Sequence, residues 1–480
     1  IVGVNAMNRI LCWIGGLAFA LPLLNAAPPS QASAKSERPR VVVLTDITNE
    51  PDDEESLVRF LVSSSDYDVE ALIATTSTWL RKKVRPEKIQ AQIHAYAKVY
   101  PNLIKHDRRY PSPKHLLSVT RAHLPLYGMS GVGDGKDSPG SNLLIATIDK
   151  SDARRVWVSV WGGANCLAQA LWKVRNTRSK ADLAKFVAKI RVYTISDQDD
   201  TGAWMRKQFP GLFYIVTPSK QSHHEYHLAT WTGISGERRY KFAAPPSYFA
   251  WISNAWLSQN IIQGHGPLGA LYPKWKYIME GDTPAFLNLI DNGLAGEISP
   301  SHGGWGGRYK LRKPSGESRP IWTNSPDTLT VDGKSYTSPH ATVWRWREAY
   351  QNDFAARMDW CIAGNRPDAN HHPVAVVNGA EGKSIIAITA SPGQTLTLSA
   401  AGSSDPDGNK ITYRWFQYLE AGTASRTDIL GQETSKITFK APNEPGRTVH
   451  IILELRDNGT PNLFAYRRTV VTLGDKCTSY

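Results

Sequence analysis

The sequence predicts an α/β domain with a mostly parallel sheet and helices on both faces, followed by a small all-β immunoglobulin-like sandwich. In the first part, short apolar runs typical of buried strands alternate with helical patterns. The strand-like runs are 41–44, 69–73, 156–160, 191–195 and 212–216, and the clearest helical patterns are 166–176 and 180–188. In the second part, polar and apolar residues alternate in short runs separated by turns, which is typical of an antiparallel sandwich.

The change of pattern sets the predicted domain boundaries. The α/β domain covers 39–365, a polar linker with prolines covers 366–373, and the sandwich covers 374–480. Trp415 alternates in phase with Tyr413 and Ile411, so we place it in the sandwich core. Because the sandwich has its own strands, we expect it to fold alone and a fragment of residues 39–365 to remain active.

The N-terminal residues have the pattern of a targeting segment. Residues 1–27 combine an extension, an Arg, an apolar run and small residues, which indicates a secretory signal peptide. The run from 10 to 24 is short for a bilayer span, so we expect a secreted, extracellular protein with no membrane anchor after cleavage. Residues 28–38 form a predicted flexible leader. We expect Cys166 to be a buried thiol, while Cys361 and Cys477 could form a disulfide.

The charge balance restricts the class of partner. The formal net charge is +13 over 480 residues. The basic residues occur as scattered pairs without a recognition fold, so we expect no nucleic-acid partner. A basic secreted protein can be held near acidic matrix or can simply be soluble. The sequence leaves the oligomeric state open.

Four carboxylates follow the first predicted strand within eight residues: Asp46, Glu50, Asp52 and Asp53. The carboxyl ends of strands in an open α/β sheet line the ligand-binding crevice. Crowded like charges are unfavourable unless a cation or a bound polyol offsets them. An acidic cap on the next helix needs only one or two carboxylates. We therefore predict a metal or substrate site here.

A second polar cluster follows the strand-like run 191–195. It consists of Asp197, Gln198, Asp199 and Asp200. One Asp can cap a turn, but this set at a second strand end suggests acceptors for sugar hydroxyls.

A glycine-rich loop adds a third candidate. Four glycines surround Trp305 and Arg308 in the segment 303–308. Glycine allows positive φ and close backbone approach, so we predict a tight cleft-lining loop that displays Trp305 or Arg308 to a substrate.

The first acidic run resembles the signature of the inosine–uridine nucleoside hydrolases, Asp-x-Asp-Pro-Gly-x-Asp-Asp between a strand and a helix. Asp46 matches the first Asp, and Asp52 and Asp53 match the closing pair. The resemblance implies that these aspartates hold a Ca²⁺ ion, which in turn binds both water and ribose. Thr48 stands where the family has its second Asp, a calcium ligand and the proposed base.

Two distant segments extend this resemblance. In 156–165 it implies the backbone carbonyl of Trp161 as a calcium ligand, and Asp282 matches the Asp of a His-Asp pair. Gly281 replaces the His that protonates the leaving base, which argues against a nucleobase leaving group. Glu280 could replace that His as an acid.

A more specific resemblance links seven motifs in order to secreted nucleoside-hydrolase-like proteins labelled "cellulose-binding protein". The motifs are 49–53, 75–80, 161–165, 195–200, 231–236, 280–284 and 303–309. This similarity extends from about residue 39 to the C-terminus, and the sandwich resembles polycystic-kidney-disease-type modules. Within the matched motifs, Asn49 and Asn165 are implied as substrate-binding residues.

Together these patterns predict a hydrolase of glycosidic bonds that acts on saccharides derived from polysaccharide. The resemblance implies Ca²⁺ held by Asp46, Asp53, Asp282 and the Trp161 carbonyl. We expect Glu50 or Asp52 as the catalytic base. Glu50 ranks ahead, because Pro51 favours an extended backbone before it, and Asp52 then accepts a sugar hydroxyl. Glu280 or Asp199 is expected as acid. The alternatives are a non-catalytic carbohydrate-binding protein and an N-ribosyl nucleoside hydrolase.

Overall fold

The structure is a computed structural model that describes residues 38–48, 50–218 and 226–474. In this part of the chain, one sheet of eight strands organises the α/β domain. The strands are β1 Arg40–Thr45, β2 Asp68–Ala74, β3 Thr120–Ala122, β4 Val156–Val160, β5 Ile190–Thr194, β6 Phe213–Ile215, β7 Tyr309–Arg312 and β8 Ile321–Asn324. Their order is β3-β2-β1-β4-β5-β6-β8-β7. All neighbours are parallel except β7 and β8.

Helices and short turns cover this sheet. The α-helices are α1 Asp52–Val62, α2 Pro86–His106, α3 Pro113–Ser118, α4 Pro139–Asp149, α5 Asn165–Thr177, α6 Lys180–Ala188, α7 Thr201–Gln208, α8 Asn254–Leu257, α9 Gly266–Gly269, α10 Pro284–Leu287, α11 Ala341–Trp344 and α12 Arg347–Trp360. Alternate residues of β1 face two separate apolar cores, Val41 and Val43 on one face and Val42 and Leu44 on the other. The predicted α/β class with helices on both faces is confirmed.

Strand order places the carboxyl ends of β1, β2, β4 and β5 side by side. β1 pairs with β2 on one side and with β4 on the other, and β4 pairs with β5. The polar segments after these strands therefore meet at one edge of the sheet. A β-hairpin follows β8, formed by β9 Asp327–Val331 and β10 Lys334–Ser338.

The C-terminal part is the predicted sandwich. Its strands are β11 Ile386–Ala390, β12 Thr395–Ser399, β13 Thr412–Gln417, β14 Ile429–Leu430, β15 Lys436–Lys440, β16 Thr448–Arg456 and β17 Phe464–Leu473. They form two sheets, β11-β17-β16-β13 and β12-β15-β14. Trp415 is buried in the core between them, as its alternation predicts.

The sandwich also shares a core with the α/β domain. Tyr418 and Tyr466 pack on Trp346 of the α/β part, with ring centroids 6.0 and 5.3 Å apart. The guanidinium of Arg468 donates to the carbonyl oxygens of Leu294 and His302. The boundary at residue 365 stays a prediction. The expectation that each part folds alone has to be revised, because separation would expose this core.

Some expectations concern residues outside the described ranges. The signal peptide, most of the leader, Asn49 and Cys477 lie there, so the expected secretion and the disulfide stay predictions. Cys166 and Cys361 are both buried and free. Within the described ranges, no helix has both the length and the apolar character to cross a bilayer.

Candidate active site

The loop after β1 carries the first acidic cluster, and neighbouring hydroxyl groups orient its carboxylates. The Thr45 hydroxyl donates to Asp53 Oδ1 and accepts from the backbone N–H of Ile47 at 3.1 Å. The Ser77 hydroxyl, in the loop after β2, donates to Asp46 Oδ2. Asp53 lies in the first turn of α1. Two strand ends therefore hold two carboxylates in fixed orientations.

Three carboxylates converge closely enough to share a cation. One oxygen each of Asp52, Asp53 and Asp282 lies within 4.8 Å of the others. Asp282 arrives from a segment more than two hundred residues away, is buried, and its Oδ2 has no hydrogen-bond partner. The predicted metal set included Asp53 and Asp282, whereas Asp52 was predicted as a catalytic residue, either the base or an acceptor for a sugar hydroxyl. In the described chain, Asp46 lies beside this triad and not within it.

The acidic cluster is electrostatically strained. Burial raises the pKa of Asp46 to about 6. Burial and the neighbouring carboxylates raise the pKa values of Asp52, Asp53 and Asp282 well above the usual range. Burial also raises the pKa of Glu50, with Asp46 adding to the shift and the Arg239 guanidinium opposing it. Such shifts at a strand-end cleft are typical of functional sites.

The donor set fits a hard divalent cation. The triad offers carboxylate oxygens only, which are the ligands that Ca²⁺ and Mg²⁺ prefer. The unpartnered Oδ2 of Asp282 is an orphaned buried acceptor that a cation would satisfy. The residues therefore fit the calcium that the family resemblance implies.

The Gly162-Gly163 turn after β4 separates two carboxylates. A Cβ on Gly162 would collide with Asp46, and a Cβ on Gly163 would collide with Asp199 Oδ2, so both positions require glycine. Asp199 Oδ1 accepts from the backbone N–H of Thr201 at 2.9 Å, while Oδ2 has no partner. Burial raises the pKa of Asp199 to about 6. A second perturbed carboxyl therefore adjoins the acidic cluster.

Gln198 has a role that its strand-end position did not predict. Its Nε2 donates to the backbone carbonyl of Trp161 at 2.7 Å. That carbonyl is the predicted calcium ligand. A carbonyl oxygen has two lone pairs, so the hydrogen bond from the Gln198 amide uses one and leaves the other for a metal ion. Gln198 therefore orients this carbonyl from the loop after β5.

Three other predicted substrate residues have structural partners. Asp197 makes a two-pronged ion pair with Arg206, at 2.8 and 2.9 Å, so the prediction that it accepts sugar hydroxyls is wrong. Asp200 Oδ1 accepts from the backbone N–H of Met129 at 2.8 Å. Asn165 is buried and donates to Thr76 Oγ1 and to the Leu126 carbonyl, which ties three loops together beneath the cleft.

The surroundings of Glu280 argue against its predicted role as the acid. Its side chain is fully buried and lies 2.5 Å from Arg59 Nε. It also accepts from the Tyr272 hydroxyl at 2.8 Å and from the Thr283 hydroxyl at 3.1 Å. A carboxylate satisfied in this way has no free oxygen to donate a proton to a substrate.

The glycine-rich loop is a packing element and not a cleft wall. Trp305 is 1% exposed and lies in the apolar core. Arg308 is paired with Asp327 at 2.6 Å and is also buried. A Cβ on Gly303 would collide with the ring of Tyr418 from the sandwich. The prediction that this loop displays Trp305 or Arg308 to a substrate is wrong, because the sandwich covers it.

Two features of the site were missed. The first is the pair of hydroxyl partners, Thr45 and Ser77, which follow predicted strands. The run of hydroxyl residues at 75–78, after a strand, could have predicted hydrogen-bond donors at this edge of the sheet. Thr48 has φ +94°, a region that a β-branched residue rarely adopts. This strain beside the carboxylates is typical of functional loops.

Two family profiles match this chain. The family profile "Cellulose-binding Sde182, nucleoside hydrolase-like domain" matches residues 40–309. The profile "Cellulose-binding protein Sde0182, C-terminal domain" matches residues 395–473. No curated protein matches the chain.

Among solved structures, a nucleoside hydrolase-related hypothetical protein from Saccharophagus degradans, described as associated with carbohydrate metabolism, is 41% identical. The match covers 91% of this chain and 100% of that chain, with a TM-score of 0.76. The type III effector protein XopQ, complexed with adenosine diphosphate ribose, is 11% identical over 68% of this chain and 96% of that chain, with a TM-score of 0.31. At that TM-score, XopQ supports no inference here. Since the first profile matches more than half of the residues and the Saccharophagus protein matches nearly all of them, the chain belongs to the cellulose-binding Sde182 family with a nucleoside hydrolase-like domain.

Proposed function

We propose that this protein hydrolyses glycosidic bonds in saccharides derived from polysaccharide, at the cleft formed by the ends of β1, β2, β4 and β5. The observation that supports this most is the set of crowded, unpaired carboxylates there. Their raised pKa values suit proton transfer near neutral pH. The family descriptions name a nucleoside hydrolase-like domain and cellulose binding, which supports a carbohydrate ligand.

Glu50 is the proposed base. Thr48 cannot accept a proton at neutral pH, so another group in this loop must do so. Glu50 is half-buried and precedes Pro51, which favours an extended backbone at Glu50. Its raised pKa makes it a better proton acceptor than an ordinary exposed Glu.

Asp199 is the proposed acid, now without Glu280 as a competitor. Thr201 holds Asp199 Oδ1, so the proton would reside on the unpartnered Oδ2. With a pKa of about 6, Asp199 is substantially protonated in mildly acidic solution. It could therefore protonate a leaving sugar oxygen, which agrees with the two-carboxylate logic of glycoside hydrolysis.

A calcium ion held by Asp52, Asp53 and Asp282 would bind vicinal hydroxyls and lower the pKa of a bound water. In that arrangement Asp46, oriented by Ser77, accepts a hydrogen bond from substrate or water with its other oxygen.

The experiment is a screen of the purified protein against defined oligosaccharides and nucleosides, with and without EDTA. We expect release of reducing ends from an oligosaccharide and no cleavage of inosine or uridine, because Gly281 replaces the family's base-protonating His. Asp199→Asn should slow the hydrolysis of substrates with alkyl or sugar leaving groups far more than that of nitrophenyl glycosides, because a nitrophenolate leaves without being protonated. Cleavage of nucleosides alone would contradict the proposal.

A non-catalytic carbohydrate-binding protein is the second candidate. Two observations favour it. Thr48 stands at the position of the family's base, and the Trp161 carbonyl, the predicted metal ligand, already uses one lone pair to accept the hydrogen bond from Gln198. Saccharide binding without any hydrolysis in the same screen would support it.

A further inference from the structure

Two exposed aromatic side chains adjoin the acidic cluster. Among the large apolar side chains that are exposed in the described chain, the aromatic ones are Trp79 at 40% and Tyr277 at 42%. Trp79 belongs to the loop after β2. Its backbone N–H donates to Ser77 Oγ at 2.9 Å, and the same hydroxyl donates to Asp46. Trp79 is therefore two residues from a group that touches the cluster.

Tyr277 approaches the cluster from the distant segment that carries Asp282. A Cβ on Gly281 would lie 2.7 Å from Asp52 Oδ2 and 3.3 Å from Ile278 Cγ2, so the residue after Tyr277 lies beside Asp52. Tyr277 has φ +68°, a conformation that is strained for a bulky residue. The Tyr277 ring is therefore partly exposed and lies in a strained turn, which indicates a role at the surface.

Each of these rings is accompanied by cations. Arg81, Lys82 and Lys83 follow Trp79 and are exposed. The Arg239 guanidinium lies 4.7 Å from the Tyr277 ring centre, and Lys276 Nζ lies 5.1 Å from it. Arg239 also lowers the pKa of Glu50, so its field reaches the cleft. Arg81 lies over the Tyr127 ring at 4.5 Å, and Lys82 and Lys83 are its exposed neighbours in sequence. The two segments beside the acidic cluster, here called the rim, thus carry both aromatic rings and cations, and the acidic cluster itself is called the floor.

From this arrangement we propose that the cleft takes a negatively charged saccharide, with carboxylate or sulfate substituents on its sugar rings. Trp79 would stack on a sugar face. Arg239 and Lys276, which lie over the Tyr277 ring, would bind the anionic substituents together with Lys82 and Lys83. The floor would receive only hydroxyl groups and the scissile bond. A neutral glucan would use the Trp79 ring but not the cations. This inference names the substrate class of the proposed function and rests on it for the position of the site.

The test measures binding, so that it does not depend on turnover. Isothermal titration with the full chain at pH 7 would compare cello-oligosaccharides, oligogalacturonates and sulfated oligosaccharides of equal length, at 50 and 300 mM salt. The variants are Lys82→Ser with Lys83→Ser, and Trp79→Ala. The matched control is Lys180→Ser with Lys185→Ser, which removes the same two charges from the exposed face of α6.

We expect at least one anionic series to bind about tenfold more tightly than the neutral one at low salt, with the difference reduced at high salt. The Lys82 and Lys83 variant should lose most of that difference, the control should keep it, and Trp79→Ala should weaken both series. Comparison of the affinities for oligogalacturonates and for sulfated oligosaccharides decides whether the cleft recognises carboxylate or sulfate groups. Equal affinity for neutral and anionic chains, or equal loss in the control, would overturn the inference. Anionic binding without hydrolysis would leave it standing and remove the catalytic proposal alone.

Discussion

Buried carboxylates occur in two kinds of surroundings in this protein. Behind the cleft most of the buried carboxylates have an arginine partner: Glu280 with Arg59, Asp197 and Glu317 with Arg206, Glu237 with Arg347, Asp66 and Asp353 with Arg357, and Asp327 with Arg308. Glu55 and Asp457 are exceptions, held by backbone or amide groups. In the cleft, Asp46 and Asp53 accept from hydroxyl groups, and the Oδ2 atom of Asp282 has no hydrogen-bond partner. None of Asp46, Asp52, Asp53 and Asp282 forms an ion pair with a Lys or Arg of the described residues.

The pKa values of the paired Asp353 and of the unpaired Asp282 are shifted in opposite directions. Burial alone would raise the pKa of Asp353, but Arg357 and His372 hold it below the usual value. In the cleft, burial and like charges both act upwards. Paired carboxylates therefore stabilise the fold, whereas the unpaired ones are retained at a cost in stability, as expected for a functional site.

The largest expected effect is on turnover. Glu50→Gln should reduce turnover about 10²- to 10⁴-fold, because it removes the proposed base, and should change substrate affinity little. The control is Glu54→Gln in the first turn of α1, where the nearby charge is Lys88. Steady-state kinetics on the saccharide found by screening measures both. Full turnover by Glu50→Gln would place the base elsewhere.

A substitution behind the cleft should instead affect folding. Glu280→Gln leaves Arg59 buried without its counter-charge, which should cost about 3–5 kcal/mol of unfolding free energy. Denaturant unfolding measures this, and adding Arg59→Met should recover part of the loss. If Glu280→Gln is as stable as wild type but inactive, Glu280 belongs to the catalytic site after all.

The unpaired carboxylates predict an unusual dependence of stability on pH. Asp46 and Asp199 have folded pKa values of about 6, above their unfolded value of 3.8, so the folded state holds their protons more tightly. Their stabilising contribution is complete below about pH 4 and is lost as the pH rises through about 6. In EDTA, unfolding free energy should therefore decrease from pH 4 to 7.

Asp282→Asn should sharpen this contrast. In EDTA at pH 7 it should raise the unfolding free energy by about 1–2 kcal/mol, since it removes a charge that is both buried and repelled. Thermal unfolding at pH 5 and 7 measures it. A destabilised variant would mean that Asp282 has a stabilising partner like those behind the cleft.

The smallest expected effect is at the contact with the sandwich. The Tyr418 hydroxyl donates to Asp327 Oδ2 at 2.7 Å, beside the Arg308 pair. Tyr418→Phe should cost about 1–2 kcal/mol without changing turnover. Tyr413→Phe is the matched control, because Tyr413 lies in β13 and Tyr418 directly follows that strand. A loss of activity in Tyr418→Phe would connect this contact to the cleft.

Local patterns were enough to predict β1, β2, β4, β5 and β6, the sandwich and the acidic loop after β1, but not β3, β7 and β8 or the β9–β10 hairpin. The position of a carboxylate at a strand end depends on its immediate neighbours, so Asp46 and Asp53 could be placed from sequence. Whether a charged residue is paired depends on residues far along the chain. Arg59 precedes Glu280 by more than two hundred positions, and Tyr418 covers the loop of Trp305 from another domain. For this reason Glu280, Asp197, Trp305 and Arg308 were assigned to the cleft although they stabilise the fold.

Calorimetric titration of the metal-free protein with CaCl₂ at pH 7, for wild type and for Asp282→Asn, tests the central claim most directly. The unpaired carboxylates predict one binding site in wild type, with heat that is abolished in Asp282→Asn and weaker at pH 5, where protons compete for the same oxygens. Glu280→Asp, whose position lies outside the triad, should still bind where it folds. Wild type without binding heat, or an Asp282→Asn variant that binds calcium as wild type does, would contradict the claim that these carboxylates form a cation site.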